Sequence, residues 1–203
     1  GLGCSLVKSI LEACLLTMNQ DLRKAALELV DKQTSLYART VPRGAQTWEC
    51  PLHTPDILAS AHMVRIYTLA YMLSGETRHL EQARYWAWTG VPFVYLDDPV
   101  AKPVGRYATI AVIGATNWQA PLWIGRPVQW CGLVYGASLV DLAAVDTDGS
   151  DFWHKLATGI TLSGLQQTWG LDDVPRQGLL PDYYLLKAQR RDGPAINPGT
   201  VGG

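Results

Sequence analysis

The feature that most constrains this chain is a threefold alternation between helices that are apolar on nearly every side and helices with one polar face. Residues 5–18 carry only two charges, and the helical pattern that follows, to about residue 38, keeps its charged residues on one face. The same order returns over 56–89 and 128–168. A helix that is apolar all round must be buried on all sides, whereas an amphipathic helix can cover it and face water. The sequence therefore predicts three helical hairpins (5–38, 56–89 and 128–168), each with an inner and an outer helix.

Repeated pairs of inner and outer helices are typical of an open α-solenoid or of a closed α/α toroid. The links here are long and irregular, at 39–55, 90–127 and 170–181, whereas solenoid repeats are joined by short, regular loops. Only residues 107–113 show a weak strand pattern. We therefore predict an all-α fold, a partial α/α toroid whose long loops lie at one mouth. It forms a single domain over 1–203 with a C-terminal tail at 191–203.

Composition excludes several classes of protein. The chain of 203 residues is 48% hydrophobic and only 17% charged, which excludes a disordered tail or a solvated coiled coil. A net charge of −1 implies no broad basic face, so we predict neither a nucleic-acid partner nor an anionic membrane partner. The longest apolar stretch, near 130–140, is too short to span a bilayer.

The cysteines do not form a recognisable metal or disulfide pattern. Cys4, Cys14, Cys50 and Cys131 include no CxxC pair, and we expect them to be buried free thiols. Cys50 and His53 have the spacing of half a zinc site, but the remaining ligands are not visible in the sequence. We predict no metal and no cofactor.

The second hairpin carries a resemblance to a known group. Residues 69–87 read LAYMLSGETRHLEQARYWA, in which an apolar helix ends at a Gly turn and an Ala- and Trp-rich helix follows. This segment resembles a hairpin of the six-hairpin glycosidase-like superfamily of (α/α)6 toroids, and the pattern extends over about 56–169. The resemblance implies a glycoside hydrolase or polysaccharide lyase that binds sugar chains in a tryptophan-lined cleft, in a secreted or periplasmic location.

A full toroid of that superfamily has six hairpins, whereas this chain supplies three. The chain also begins at Gly1 and ends at Gly203 as if it were cut from something longer. Besides a carbohydrate, the expected partners are therefore the rest of a longer parent chain or a second protomer. The alternative to an enzyme is a non-catalytic helical scaffold that packs against such a partner.

The first long loop supplies two candidate carboxylates and two candidate binding residues. In toroids of this kind the cleft lies at the N-terminal ends of the inner helices, where the helix dipoles are positive. Trp48, Glu49, His53 and Asp56 precede the second inner helix. Asp56 is placed either as the N-cap of that helix or as a catalytic carboxylate. Glu49 has no visible capping role and is the acid/base candidate, the alternative being a solvated side chain.

The second long loop is rich in side chains that suit a sugar. The chain contains eight tryptophans and two phenylalanines, and indole rings can stack on the apolar faces of pyranose rings while amides and guanidinium groups pair with hydroxyls. The alternative is that the tryptophans fasten the loop to the helix ends. The predicted substrate-binding residues here are Arg106, Tyr107, Asn117, Trp118, Trp123, Gln129 and Trp130.

The third loop leads to Asp182 and Tyr183. Glycoside hydrolysis uses two carboxylates, about 5–5.5 Å apart for retention or 6.5–9.5 Å for inversion, and Asp182 could pair with Glu49 or Asp56. A uronate lyase would instead use a base and a carboxylate-neutralising group, for which the candidates are His53, Tyr107, Arg106 and Asn117. We therefore predict catalytic residues Glu49, Asp56 and Asp182, with Tyr183 as a binding residue.

One further pair stands on an apolar helix. His62 and Arg65 are three residues apart, a spacing that places both on one stripe of the second inner helix. They either face the toroid lumen or snorkel at its edge.

Overall fold

Six α-helices and a short strand pair make up the fold. A computed structural model describes residues 2–48, 50–114 and 123–197. The helices are α1 (Leu2–Thr17), α2 (Gln20–Tyr37), α3 (Ile57–Ser74), α4 (Thr77–Gly90), α5 (Gln129–Ala143) and α6 (Ser150–Gln167), with a 3₁₀ turn at Val91–Phe93. The strands are β1 (Leu180–Leu185) and β2 (Arg190–Ile196).

The helices pack as three consecutive hairpins, α1–α2, α3–α4 and α5–α6, which confirms the predicted hairpins. Helix α3 lies between α1 and α5, so these three form an inner layer. Twelve residues of α3 are buried, as the pattern that is apolar all round requires. The described residues do not form a closed ring, so a toroid is not observed.

Local signals fix the ends of the helices. The Asn19 side chain accepts a hydrogen bond from Leu22 N at 2.9 Å and caps α2, and the Asp56 carboxylate accepts from Ala59 N at 2.7 Å and caps α3. Helix α3 ends at Gly75, whose φ of 72° is the left-handed conformation that glycine adopts most easily. The N-cap reading of Asp56 is therefore correct.

The prediction of an all-α fold is wrong at the C-terminus. Strands β1 and β2 form an antiparallel hairpin, and β2 occupies residues that the sequence assigned to a tail at 191–203. An irregularity between Pro181 and Tyr183 breaks the two-residue alternation of β1, and β2 carries charged residues and a Gly-Pro pair. Neither strand therefore shows the pattern by which a strand is recognised in a sequence. The weak strand pattern at 107–113 corresponds only to isolated bridges.

The loops that precede α3 and α5 are joined to each other by backbone hydrogen bonds. Ile57 N donates to Ala111 O at 3.0 Å, and Ile113 N donates to Pro55 O at 3.1 Å. Tyr184 N in β1 donates to Pro127 O, just before α5, at 2.9 Å. The first loop, the second loop and β1 therefore meet at the N-terminal ends of α3 and α5, which we call the loop end.

Gly132 permits the second loop to lie directly on α5. A Cβ at this position would overlap the Thr109 side chain. The backbone N of Thr109 also donates a hydrogen bond to Gln129 Oε1 of α5 at 2.9 Å. Gly136, one turn further along the same helix, has more room, since its Cβ would lie 3.5 Å from the Ile160 side chain. The two glycines are therefore a matched pair on one helix.

We predict that Gly132→Ala destabilises the fold by about 1–3 kcal/mol, because the added methyl group overpacks the α5–loop contact. Gly136→Ala should instead be neutral or stabilise by about 0.4–1 kcal/mol, since alanine favours a helix where it fits. Chemical denaturation of the two variants measures both effects. Equal stabilities for the two variants would contradict this account of the contact.

Candidate functional site

All charged and histidine side chains of the three inner helices lie in one groove. Helix α1 contributes Lys8 and Glu12, α3 contributes His62 and Arg65, and α5 contributes Asp141, and these five line a groove of about 620 Å³. Small side chains such as Ala61 and Ala137 form much of the remaining wall. Since the helices are otherwise apolar, this convergence marks the inner-helix groove as the candidate site.

Arg65 of α3 contacts side chains of both other inner helices across the groove. Its Nε and Nη2 donate to Glu12 Oε1 at 3.4 and 3.3 Å, and its Nη1 donates to Asp141 Oδ2. About a third of each side chain is exposed, so water still reaches the network. The two carboxylates keep free oxygen lone pairs toward the groove, because each uses one oxygen for Arg65.

Lys8 and His62 form a different kind of surface in the same groove. Burial, and after it the positive charge of Lys8, lower the pKa of His62 to about 4. Lys8 has no ion-pair partner in the described part of the chain. This part of the groove therefore offers an unpaired cation beside a neutral imidazole.

A pair of buried tryptophans lies at the loop end, outside the lining of the inner-helix groove. Trp130 precedes Val134 of the groove by four residues on α5, so the two share one face of that helix. The Trp123 and Trp130 rings pack edge to face with centroids 6.0 Å apart, and both are buried. The structure therefore brings these two predicted residues together, although as packed rings rather than as an open platform.

Asp182 is a half-buried carboxylate beside this tryptophan pair. It accepts a hydrogen bond from Trp123 Nε1 at 3.1 Å. Burial raises the pKa of Asp182, while the indole groups of Trp123 and Trp130 partly oppose that shift. Trp130 Nε1 does not reach hydrogen-bonding geometry with any described residue. Asp182 thus combines partial access with a raised pKa, the combination that a general acid requires.

The Asp56 carboxylate caps α3, and both of its oxygens accept hydrogen bonds from backbone N–H groups. It is fully buried and accepts from Ala59 N and, at 3.0 Å, from Ala45 N. Burial raises the pKa of Cys131 well above its usual range, and the charges of Asp56 and Asp182 add to that effect. This buried thiol is therefore the opposite of an activated nucleophile.

The other predicted residues are distributed over three places. Trp48 is half exposed on the first loop, and His53 lines a separate cavity with Arg43. Glu49 lies outside the described residues. In β1, the Tyr183 ring is buried under the Arg126 guanidinium, 5.2 Å from its centroid.

The structure does not bring Arg106 and Tyr107 to the tryptophan pair. Arg106 pairs with Asp97 at 2.7 Å, and the Tyr107 ring packs on Gly159 of α6. The Gln129 amide is buried and bonded to groups that include Ile160 O, at 2.8 Å. Asn117 and Trp118 lie outside the described residues. Since His53 lines a different cavity from Arg106 and Tyr107, these proposed lyase residues are not assembled at one place.

The described residues include no metal-binding cluster, no membrane-spanning helix and no disulfide. Within 2–48, 50–114 and 123–197, no three His, Cys, Asp or Glu side chains are grouped to hold a metal ion. No described helix combines the length and the apolar character needed to cross a membrane. All four cysteines are buried and free of disulfides. Comparison of the chain with protein-family models, with curated proteins and with solved structures finds no match.

We predict that Lys8→Met raises the pKa of His62, because the Lys8 charge is the largest cause after burial that holds it down. Titration of the histidine ring resonances by NMR measures the pKa directly. Lys24→Met, on the exposed face of α2, is the matched control and should leave it unchanged. An unaltered His62 pKa in Lys8→Met would contradict the proximity of the two groups.

The lowered pKa of His62 also predicts how the stability of the protein depends on pH. Unfolded histidine binds its proton near pH 6.5, whereas folded His62 binds it only at about 4. The contribution of neutral His62 to stability is therefore complete above about pH 6.5 and is lost as the pH falls to about 4. His62→Gln should flatten the fall in unfolding free energy across this window.

Proposed function

We propose that this protein is a carbohydrate-active domain whose substrate lies in the inner-helix groove, with glycoside hydrolysis as the reaction. The observation that carries the proposal is Asp182, a half-buried carboxylic acid beside the Trp123–Trp130 pair. This pair lies at the loop end, one helical turn along α5 from the groove residue Val134. A carboxyl group held against indole in a partly apolar pocket is one of the recognised ways to keep a general acid protonated.

The groove has the two kinds of surface that a sugar chain needs. Glu12, Asp141 and Arg65 provide acceptors and donors for hydroxyl groups, and Val134 and Ala137 provide apolar contacts. Lys8 would favour sugars that carry an acidic group, because it is a cation with no ion-pair partner among the described residues. The three hairpins are proposed to be part of an (α/α)6 toroid in which this groove faces the lumen and the loop end forms the mouth.

We assign the roles in hydrolysis from how deeply each candidate carboxylate is buried. Asp182 would protonate the leaving oxygen, as its raised pKa and partial access allow. Asp56 is ill suited as the partner because its carboxylate is fully buried on two backbone N–H groups. We therefore propose Glu49 as the second carboxylate, acting as base or nucleophile. A secreted or periplasmic location belongs to the same proposal.

We predict that Asp182→Asn lowers hydrolysis about 10²–10⁴-fold, the usual contribution of a positioned acid, while oligosaccharide binding persists. Release of reducing ends from neutral and uronate polysaccharides measures turnover, and titration calorimetry measures binding. Asp172→Asn, on an exposed loop residue, is the matched control. Because Asp182 must be protonated, wild-type activity should fall as the pH rises through its raised pKa.

Three outcomes decide between the alternatives. Full activity in Asp182→Asn would remove Asp182 as the acid. Products that absorb ultraviolet light through a new double bond would identify a uronate lyase instead. Neither turnover nor binding with any sugar would leave Trp123 and Trp130 as packing residues and favour the scaffold.

A second candidate function, assembly with another helical unit, is favoured by one specific observation. Helices α1 and α2 expose four leucines, Leu6, Leu16, Leu29 and Leu36. Leu29 and Leu36 are seven residues apart on α2 and so share a face. In a toroid these leucines would pack on the next hairpin, so the proposed partner is a further hairpin of a longer parent chain or a second protomer.

We predict that the protein self-associates through the exposed leucines of α1 and α2 and that Leu16→Lys with Leu36→Lys shifts it toward monomer, because charges oppose burial at an apolar contact. Light scattering after size-exclusion chromatography measures the mass. Leu171→Lys, which replaces a leucine as exposed as Leu16 (85% against 86%) in another part of the molecule, should have no effect. A monomeric wild-type protein would contradict self-association.

A further inference from the structure

A second cavity, separate from the inner-helix groove, lies under the first long loop. It has a volume of about 320 Å³ and is enclosed by α1, α3, α4 and the loop that follows α2. Ala59 and Met63 of α3 line it, whereas His62 and Arg65 of the same helix line the groove. The two sites therefore use different faces of α3.

The wall of this cavity is apolar. Cys4, Ala59, Met63 and Trp86 are buried and form its inner part. The Cys4 and Met63 sulfur atoms lie 3.7 Å apart, and burial raises the pKa of the Cys4 thiol, so the thiol stays neutral. Such a lining suits an aliphatic or aromatic body and offers little to a hydrophilic one.

Large apolar side chains at the rim of the cavity are exposed to solvent. Tyr37, Val41 and Leu52 are 44%, 53% and 68% exposed and all line the cavity. Three large apolar residues around one opening are unusual for a protein surface and are typical of a place that an apolar ligand covers.

The rim of the cavity carries two basic side chains. Arg43 and His53 line the cavity, and no acidic side chain does so among the described residues. Arg43 is exposed and has no ion-pair or hydrogen-bond partner for its side chain in the described part of the chain. A guanidinium group presents paired donors that match a carboxylate.

We propose that this cavity binds a small carboxylic acid with an apolar body, with the carboxylate on Arg43 and the body against Ala59, Met63 and Trp86. The volume is at the lower end of the range for small-molecule sites, about 300–1,000 Å³, so the ligand is of medium-chain fatty acid or arylalkanoic acid size. His53 supplies a second donor at the rim. The proposal is independent of carbohydrate activity, because the groove and Asp182 take no part in it.

Titration calorimetry with octanoate and with 4-phenylbutyrate tests the proposal on the full chain. The wild-type protein should bind both saturably with one site. Arg43→Met should weaken octanoate binding about 10-fold or more, since it removes a charge-assisted hydrogen bond. Ala59→Leu, which fills the cavity, should abolish binding. The Arg43 variant changes an exposed loop residue, so it reports on binding even where Ala59→Leu perturbs the fold.

Two controls separate charge from general apolar affinity. Octanamide has the same body without the charge and should bind equally weakly to the wild-type protein and to Arg43→Met. Arg190→Met makes the same substitution at an exposed arginine of β2 and should leave octanoate binding unchanged. No binding of either acid, or equal octanoate affinity in the wild type and Arg43→Met, overturns the proposal.

Discussion

Three helices that are apolar on nearly every side can be stable in water only when they pack on one another beneath an outer layer, and this requirement organises the rest of the molecule. Helix α3 satisfies it most fully, because it has an inner helix on each side and its hairpin partner α4 above. Charged groups on such helices must then share the places that water can still reach. Arg65 shows the result, since it pairs with both Glu12 of α1 and Asp141 of α5 in one groove.

The same packing brings the chemistry of the loops to the inner layer. The backbone hydrogen bonds of Ile57 and Ile113 hold the second loop on the first, and Tyr184 holds β1 on Pro127, two residues before α5. Asp182 is thereby carried to the Trp123–Trp130 pair, where burial raises its pKa. Without the rigid helix ends, a half-buried acid at this position would have no fixed surroundings. The proposed reaction therefore depends on the hairpin architecture rather than on a short sequence motif.

Much of the fold could be predicted from the sequence, and less of the site. The hairpins and the Asp56 cap follow from local periodicity and from a single polar residue before an apolar run. The strands could not be predicted, because an irregularity and charged residues remove their alternation. The high tryptophan content was also a poor guide, since Trp86 and Trp153 are fully buried core residues. Sequence reasoning did not identify three residues of the groove, Lys8, Glu12 and Asp141, although each is a rare charge on an apolar helix. Their convergence depends on how the helices pack, which the sequence does not reveal.

The central claim is that the inner-helix groove and its tryptophan pair form one ligand site for sugars. Mapping of NMR chemical shifts during titration with neutral and uronate oligosaccharides tests it most directly, because the indole and backbone N–H groups report position as well as affinity. The account predicts saturable shifts of the Trp123 and Trp130 indoles together with amides near Val134 and Asp141. An unchanged spectrum with every sugar, or shifts confined to residues away from the groove, would contradict it.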